Sequence, residues 1–194
     1  MRKVITMRIK LREIAKMPIL AGALNGRRAL NTLLDMVEKE PSSPEPVFLD
    51  CSEIEVATAS YLRESLLAFR DVIRGRRSKL YPVIANASDE VREELEEVLR
   101  PRGDVLMSCT LDRKGLVSQP ALIGDLDPKQ KITFDLVCER GETDASELMR
   151  EYGENERVKQ TAWNNRLVSL AGLGLIVEIT QGRAKRYKPL FAGV

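Results

Sequence analysis

The 194 residues of the chain suffice for one large or two small domains, and their 43% hydrophobic and 31% charged residues predict globular rather than disordered structure. The net charge of +2 conceals two basic ends. Eight Lys or Arg side chains stand against Glu13 alone in residues 1–34, and seven stand against Glu178 alone in residues 157–194. The absence of histidine excludes His-dependent triads, imidazole general bases and His-ligated zinc.

The cysteines and the lengths of the apolar runs allow a prediction of the cellular compartment. Cys51, Cys109 and Cys138 are odd in number and form no CxxC pair, so we expect free buried thiols in a reducing environment. The longest apolar run, residues 170–177, is far shorter than the roughly 20 residues that a membrane helix requires. No secretory signal pattern is evident at the N-terminus. These features predict a cytoplasmic protein without membrane association.

The first half of the chain alternates strands with helices. Residues 5–12 alternate apolar and polar side chains, which predicts a half-buried strand. The helix that follows has an apolar face at helical spacing, and the Pro-rich segment 41–46 ends it. That face consists of Leu30, Leu33, Leu34 and Val37.

The same alternation continues to residue 111. A strand over 47–51 precedes a helix from about 60 to 74. The next strand, 80–85, contains Pro82, which predicts an edge position or a strand start. Ser88 is a plausible N-cap for another helix, and a strand over 105–111 follows. Such alternation predicts an α/β domain over residues 1–112, a sheet covered by helices.

A second domain is predicted after a linker. The hydrophobic residues of segment 113–126 follow no clear helical or strand periodicity, so we place the linker there. Asp127 and Pro128 are a favourable helix start, and this helix is predicted to end at Gly141. A short helix over 143–152, a turn over 153–156 and a third helix from 157 to 172–174 follow. A hairpin completes the domain, with strands over 175–180 and 183–189 joined at 181–182.

The third helix has two chemically different faces. At 100° per residue, Trp163, Leu167 and Leu170 lie on one side and are predicted to face the core. A core role for Trp163 is accordingly favoured over base stacking. The opposite side carries Thr and Asn, and Asn forms bidentate hydrogen bonds with adenine while Thr contacts base edges or a thymine methyl. The return strand of the hairpin is cationic, as a phosphate contact requires.

The segment TAWNNRLVSLAGLGLIVEITQGRAKRYKP resembles the recognition helix and wing of the winged helix-turn-helix domains of bacterial regulators. The resemblance covers about a third of the chain. It implies an α+β winged helix domain over residues 127–194 that binds double-stranded DNA. The alternative is a winged helix used for protein contact. The DNA-binding residues predicted in this way are Arg157, Gln160, Thr161, Asn164, Asn165, Arg183, Lys185, Arg186 and Lys188.

The segment VFLDCSEIEVATASYLRESLL, residues 47–67, resembles the STAS and STAS-like domains of anti-sigma factor antagonists. The resemblance places Ser60 at the phosphoacceptor position, with Thr58 in place of the usual Asp and Tyr61 in place of the usual Gly. It implies a STAS-like domain that binds a kinase, an ATPase or another regulator. A phosphate at a helix N-terminus is favoured by the helix dipole. The simpler prediction is that Ser60 caps the helix.

The leading hypothesis is a cytoplasmic bacterial transcriptional regulator whose STAS-like domain senses a signal, binds a protein or forms a homodimer. The alternative is a STAS-like signalling or adaptor protein, regulated by partner binding or serine phosphorylation. Asp50 lacks a paired acid, a metal cluster or a histidine, so it is predicted to be structural rather than a catalytic acid. We therefore expect no enzymatic activity, no cofactor and no metal.

Overall fold

The computed structural model describes residues 7–156, 159–182 and 184–191; for residues 155, 156 and 181 it describes the backbone alone. The chain divides into two compact units, Met1–Asp125 and Leu126–Val194. Both units combine helices with strands, so the chain is of the mixed α/β type.

The first unit alternates strands with helices through most of its length. A π-helical turn, Arg63–Leu67, joins its third and fourth helices, and a 3-10 turn, Arg100–Arg102, follows its fifth. The elements in chain order are β1 (Met7–Lys10), α1 (Leu11–Ala15), β2 (Ile19–Leu20), α2 (Ala23–Met36), β3 (Glu45–Asp50), β4 (Val56–Ala57), α3 (Ala59–Leu62), α4 (Ala68–Gly75), β5 (Leu80–Ala85), α5 (Asp89–Leu99), β6 (Leu106–Leu111) and β7 (Val117–Ile123).

Five strands form one sheet in the order β1-β3-β5-β6-β7. The first four are parallel, and β7 is antiparallel to β6. Each parallel connection advances one strand in the same direction, and crossovers are right-handed, so the connecting helices lie on one face of the sheet. The short strands β2 and β4 form a separate parallel pair.

The core lies between the sheet and the helices. Leu49 of β3, Leu33 of α2 and Leu95 of α5 are all fully buried within it. Gly26 lies where α2 meets the backbone of α3, and a Cβ at this position would lie 2.8 Å from the Tyr61 carbonyl oxygen. Residue 26 therefore has to be a glycine for the two helices to approach this closely.

Three sequence expectations for this unit were wrong. The alternating segment 5–12 becomes helical at Leu11, since β1 ends at Lys10, and its residues 5 and 6 lie outside the described residues. Pro82 belongs to β5, which lies between β3 and β6 rather than at an edge. The proline is tolerated because β6 pairs only with Ile84 and Ala85, beyond it. Within the expected linker 113–126, residues 117–123 form β7.

The second unit contains three helices followed by a hairpin. Gly153, expected in a turn, is a buried residue inside the second helix of the unit, which continues to Glu156. The elements are α6 (Pro128–Arg140), α7 (Ala145–Glu156), α8 (Gln160–Leu173), β8 (Ile176–Gln181) and β9 (Ala184–Pro189). In the described part of the chain, no helix is long and apolar enough to span a membrane.

Candidate nucleic-acid interface

Helix α8 is held by its apolar face. Trp163, Leu167 and Leu170 have no solvent exposure, which confirms the inward face predicted from the helical wheel. Burying side chains of this size contributes about 1.5–3 kcal/mol each as an upper estimate. The Arg166 guanidinium lies 5.0 Å from the centre of the Trp163 ring, a cation–π distance. Trp163 is therefore a core residue.

Backbone hydrogen bonds define where α8 ends. Gly174 adopts a left-handed conformation with φ of 82°. Its N–H donates to the Ala171 carbonyl at 3.0 Å, and the N–H of Leu175 donates to the Leu170 carbonyl at 3.1 Å. This pair of bonds is a Schellman motif, which satisfies carbonyls at the helix end and turns the chain sharply. The motif leads the chain directly from α8 into β8.

The outer face of α8 carries no acidic group. Thr161, Asn164, Asn165 and Val168 are exposed there. The sequence contains no Asp or Glu from residue 159 to residue 177. The face thus offers hydrogen-bonding side chains and a methyl-bearing group, and no charge of its own would repel an anion. Gln160, predicted to contact DNA, donates instead from Nε2 to Ser146 Oγ at 2.7 Å and ties α8 to α7.

The β8–β9 hairpin follows α8, and its return strand is attached to the chain between α6 and α7. Strands β8 and β9 pair from Ile176 with Pro189 to Gln181 with Ala184, and Gly182 follows β8 in the connection between them. Gly182 has a φ of 63°, which suits a tight hairpin turn. Tyr187 is buried and exchanges two backbone hydrogen bonds with Thr143, at 2.9 and 2.8 Å. These bonds attach the return strand to the segment between α6 and α7.

Arg186 lies in an acidic cluster formed by Glu142, Asp144 and Glu147. Its Nε donates to Glu142 Oε1 at 2.5 Å, and its Nη1 lies 3.1 Å from both Asp144 Oδ2 and Glu147 Oε1. The hydrogen bond from Arg186 lowers the pKa of Glu147, although partial burial acts to raise it. The hydrogen bonds that Arg186 donates to Glu147 and Glu142 raise the pKa of Arg186 in turn. Arg186 was predicted to contact phosphate, but three carboxylates already neutralise it.

The other predicted wing cations differ in their surroundings. Lys185 is half exposed and lies 2.9 Å from Glu178 Oε1. Lys188 is exposed on β9, with no ion-pair partner in the described part of the chain. Arg157 and Arg183 lie outside the described residues. Among the described cations that were predicted to lie in a wing, Lys188 is therefore the one without a competing carboxylate.

Ser60 does not cap the helix it was predicted to cap. Thr58 Oγ1 accepts from the Tyr61 N–H at 3.4 Å, and Glu94 Oε1 accepts from the Ala59 N–H at 2.6 Å. Ser60 is half buried, and its Oγ lies 3.3 Å from Thr58 Oγ1. A phosphate on Ser60 would meet a carboxylate that already occupies the helix N-terminus, and like charges repel.

Asp50 is enclosed by hydrogen bonds at the carboxyl end of β3. Arg8 Nε donates to its Oδ2 at 2.7 Å, Asn86 Nδ2 donates to its Oδ1 at 2.8 Å, and both Ser52 N and Ser52 Oγ donate to it. Burial acts to raise the pKa of Asp50, but these bonds hold it below its ordinary value. An ionised carboxylate with its lone pairs occupied serves structure rather than proton transfer.

The cysteines are free, and the described residues contain no group of three or more His, Cys, Asp or Glu side chains arranged to hold a metal ion. Cys51 and Cys109 are buried as expected, whereas Cys138 is only half buried. Burial raises the pKa of the Cys51 thiol to about 12.

Comparisons with protein families, with characterised proteins and with solved structures find no match for this chain.

Proposed function

We propose that residues 126–194 bind duplex DNA as a winged helix domain, with α8 in the major groove and the β8–β9 hairpin along the phosphates. The observation that carries this proposal is the outer face of α8. Exposed Asn164, Asn165, Thr161 and Val168 lie above a fully buried apolar face, in a helix without acidic residues. An α-helix fits the major groove, and Asn and Thr are among the side chains that read base edges there.

The order and connections of the elements support the same proposal. Three helices precede the hairpin, and the Schellman motif at Gly174 starts β8 immediately after α8. The backbone pairing of Thr143 with Tyr187 and the Arg186 cluster both fix β9 to the chain between α6 and α7. A hairpin held in this way is a rigid wing, so little conformational entropy is lost when it meets DNA.

Substitution of the outer face of α8 tests the groove assignment. The chain is used to select bound fragments from genomic DNA of the source organism, and its affinity is measured for a selected duplex and for a scrambled one. Asn164→Ala combined with Asn165→Ala should reduce the ratio of these affinities by about tenfold or more, because each bidentate contact discriminates by about 1–3 kcal/mol. An unchanged ratio contradicts the assignment of α8 to the groove.

Salt dependence tests the wing separately. Lys188→Gln should make the slope of log K against log salt shallower by about 0.9, the loss of one phosphate contact. Lys131→Gln is the matched control, because Lys131 is an exposed lysine of α6 that is paired with Asp135. The control should leave the slope unchanged. Equal slopes for Lys188→Gln and the parent chain exclude Lys188 from the contact.

We propose for the first unit a STAS-like role in protein interaction or sensing. The support is its parallel sheet with β3 ending at Asp50, a connecting loop and a helix capped by Thr58. The exposed apolar side chains of Ile19 and Val56, paired across β2 and β4, favour a protein contact at this end. Phosphopeptide mapping of the chain after co-expression with a cognate kinase tests the alternative that serine phosphorylation regulates the protein, and an unmodified Ser60 contradicts phosphorylation at that position.

A further inference from the structure

Helix α8 exposes one narrow stripe of side chains whose chemistry is selective among base pairs. We define the reading stripe as Thr161, Asn164, Asn165 and Val168, all of which are exposed. At about 100° per residue, these four positions fall within an arc of roughly the same width around the helix. Val168 exposes 42% of its surface there. The reading stripe therefore presents two carboxamides and two methyl-bearing side chains, and it contains neither a cation nor an anion.

Each chemistry of the reading stripe matches an A·T base pair in the major groove. The oxygen of an Asn carboxamide accepts from adenine N6, and its nitrogen donates to adenine N7. The methyl groups of Thr161 and Val168 match the C5-methyl group of thymine. Guanine presents two acceptors, which Arg or Lys satisfies, and cytosine presents a donor, which Asp or Glu accepts. The reading stripe contains none of these four residue types, so it offers no preferred partner to a G·C pair.

The one arginine of α8 is turned away from the reading stripe. Arg166 lies about 150° around the helix from the centre of the stripe. Its Cζ is 5.0 Å from the centre of the Trp163 ring, and its Nη1 is buried. Outside the stripe, Gln160 Nε2 donates to Ser146 Oγ at 2.7 Å, and Lys159 precedes the first helical turn. The guanidinium of α8 that is able to read guanine is thus held against the core.

The length of the reading stripe limits how many base pairs it contacts. From Thr161 to Val168 the helix rises about 10 Å, at about 1.5 Å per residue. The next position on the same arc is Gly172, which is exposed and has no side chain to reach a base. Base pairs follow one another at about 3.4 Å along a duplex, so the stripe spans about three of them.

We propose that α8 reads a core of about three consecutive A·T base pairs in the major groove. Asn164 and Asn165 bind adenines, and Thr161 and Val168 contact the methyl groups of thymines. This inference rests on the proposed DNA binding and adds to it the class of site that is bound. It also assigns to Val168 a role in specificity, which hydrogen-bonding capacity alone does not indicate.

Selection from random duplexes about 20 base pairs long, two helical turns, tests the base composition of the site. The full chain should enrich a core of about three A·T pairs, and one G·C pair within that core should weaken binding about tenfold. Enrichment of a G·C core, or retention of duplexes without any enriched core, overturns this inference and leaves DNA binding intact. Failure to retain any duplex overturns the proposed function together with it.

Base analogues in the selected duplex show which groove is read. An inosine·cytosine pair presents the G·C pattern in the major groove and the A·T pattern in the minor groove, so in the core it should weaken binding as much as G·C does. Deoxyuridine, which lacks the thymine methyl, should weaken binding about fourfold per contacted base. Replacement of adenine by 7-deazaadenine, which lacks the N7 acceptor, should weaken it about fivefold. Equal affinities for the inosine·cytosine and A·T cores contradict reading by α8.

Variants assign these responses to residues. Val168→Ala should bind the thymine and deoxyuridine duplexes equally. Ile132→Ala is the matched control, because Ile132 is an aliphatic residue of α6 with 36% of its surface exposed, and it should keep the parent ratio. Asn164→Ala combined with Asn165→Ala should remove the response to 7-deazaadenine, and circular dichroism establishes that each variant is folded. Parent responses to both analogues in these variants contradict the assignment of base reading to the stripe.

Discussion

Replacement of Arg186 by Met tests whether an ion-pair cluster fixes the β8–β9 hairpin, which we propose to be a wing. Arg186 forms four contacts of 2.5 to 3.2 Å with Glu142, Asp144 and Glu147. Hydrogen bonds to charged groups contribute about 1.5–3 kcal/mol each when buried. About a fifth of the Arg186 side chain is exposed, so solvent screening reduces that value. We expect Arg186→Met to lower the free energy of unfolding of this unit by about 2 kcal/mol.

The assay is urea unfolding followed by tryptophan fluorescence. Trp163 is the single tryptophan of the chain and is buried in the second unit, so its emission reports on that unit. Lys185→Met is the matched control. Among the described residues Lys185 forms one ion pair, in which a half-exposed lysine meets the partly exposed carboxylate of Glu178, and its loss should cost less than about 0.5 kcal/mol. An Arg186 variant as stable as the control refutes the cluster as a stabilising element.

The pH dependence of stability is a second test of the Arg186 cluster. The pKa of Glu147 lies below its ordinary value of 4.5, mainly because Arg186 donates a hydrogen bond to it. A lowered carboxyl pKa means that this stabilisation is fully present above the unfolded pKa and is lost as pH falls through the folded pKa. The deficit of Arg186→Met relative to the parent chain should therefore be constant near neutrality and shrink below about pH 4. A deficit independent of pH over that range contradicts the assignment to Glu147.

Two further predictions concern helix packing and capping. Gly26→Ala should destabilise the first unit by about 1–2 kcal/mol, because the new methyl group meets the Tyr61 carbonyl. The exposed helical position Gly172, with open space around it, should instead gain up to about 1 kcal/mol on the same change; equal effects contradict the close approach of the helices. Thr58→Ala should cost about 1 kcal/mol, as loss of an N-cap does, and Ser60→Ala less than half of that. Thermal unfolding of the two variants checks the order, and a larger loss for Ser60→Ala contradicts the assignment of the cap.

Short-range signals in the sequence predicted much of the local structure. Ser88 caps α5 by accepting from the Val91 N–H, and Asp127 caps α6 by accepting from the N–H groups of Lys129 and Gln130, both as expected. The buried face of α8 also follows from spacing alone. Caps and helix faces depend on residues within one or two turns, so the sequence contains the information directly.

The features that the sequence did not predict depend on distant partners. In β7, three residue steps from Ala121 to Ser118 oppose two on β6, and Gln119 takes a φ of 49°. This bulge next to Pro120 interrupts the alternation that marks a strand, and an edge strand tolerates it. The Arg186 cluster likewise joins β9 to residues about forty positions earlier in the chain. Neither the bulge in β7 nor the Arg186 cluster can be predicted from the hydrophobic periodicity of the local sequence.

Photocrosslinking tests the central claim most directly, since it reports contact without knowledge of the DNA sequence. The photoreactive residue p-benzoylphenylalanine replaces Asn164 on the outer face of α8, and in a control chain it replaces Asp135, which is exposed on α6. Irradiation with duplex DNA at low salt should give a covalent adduct from position 164 in high excess over position 135. Equal yields at the two positions, or an adduct from position 135 alone, would contradict the placement of α8 in the groove.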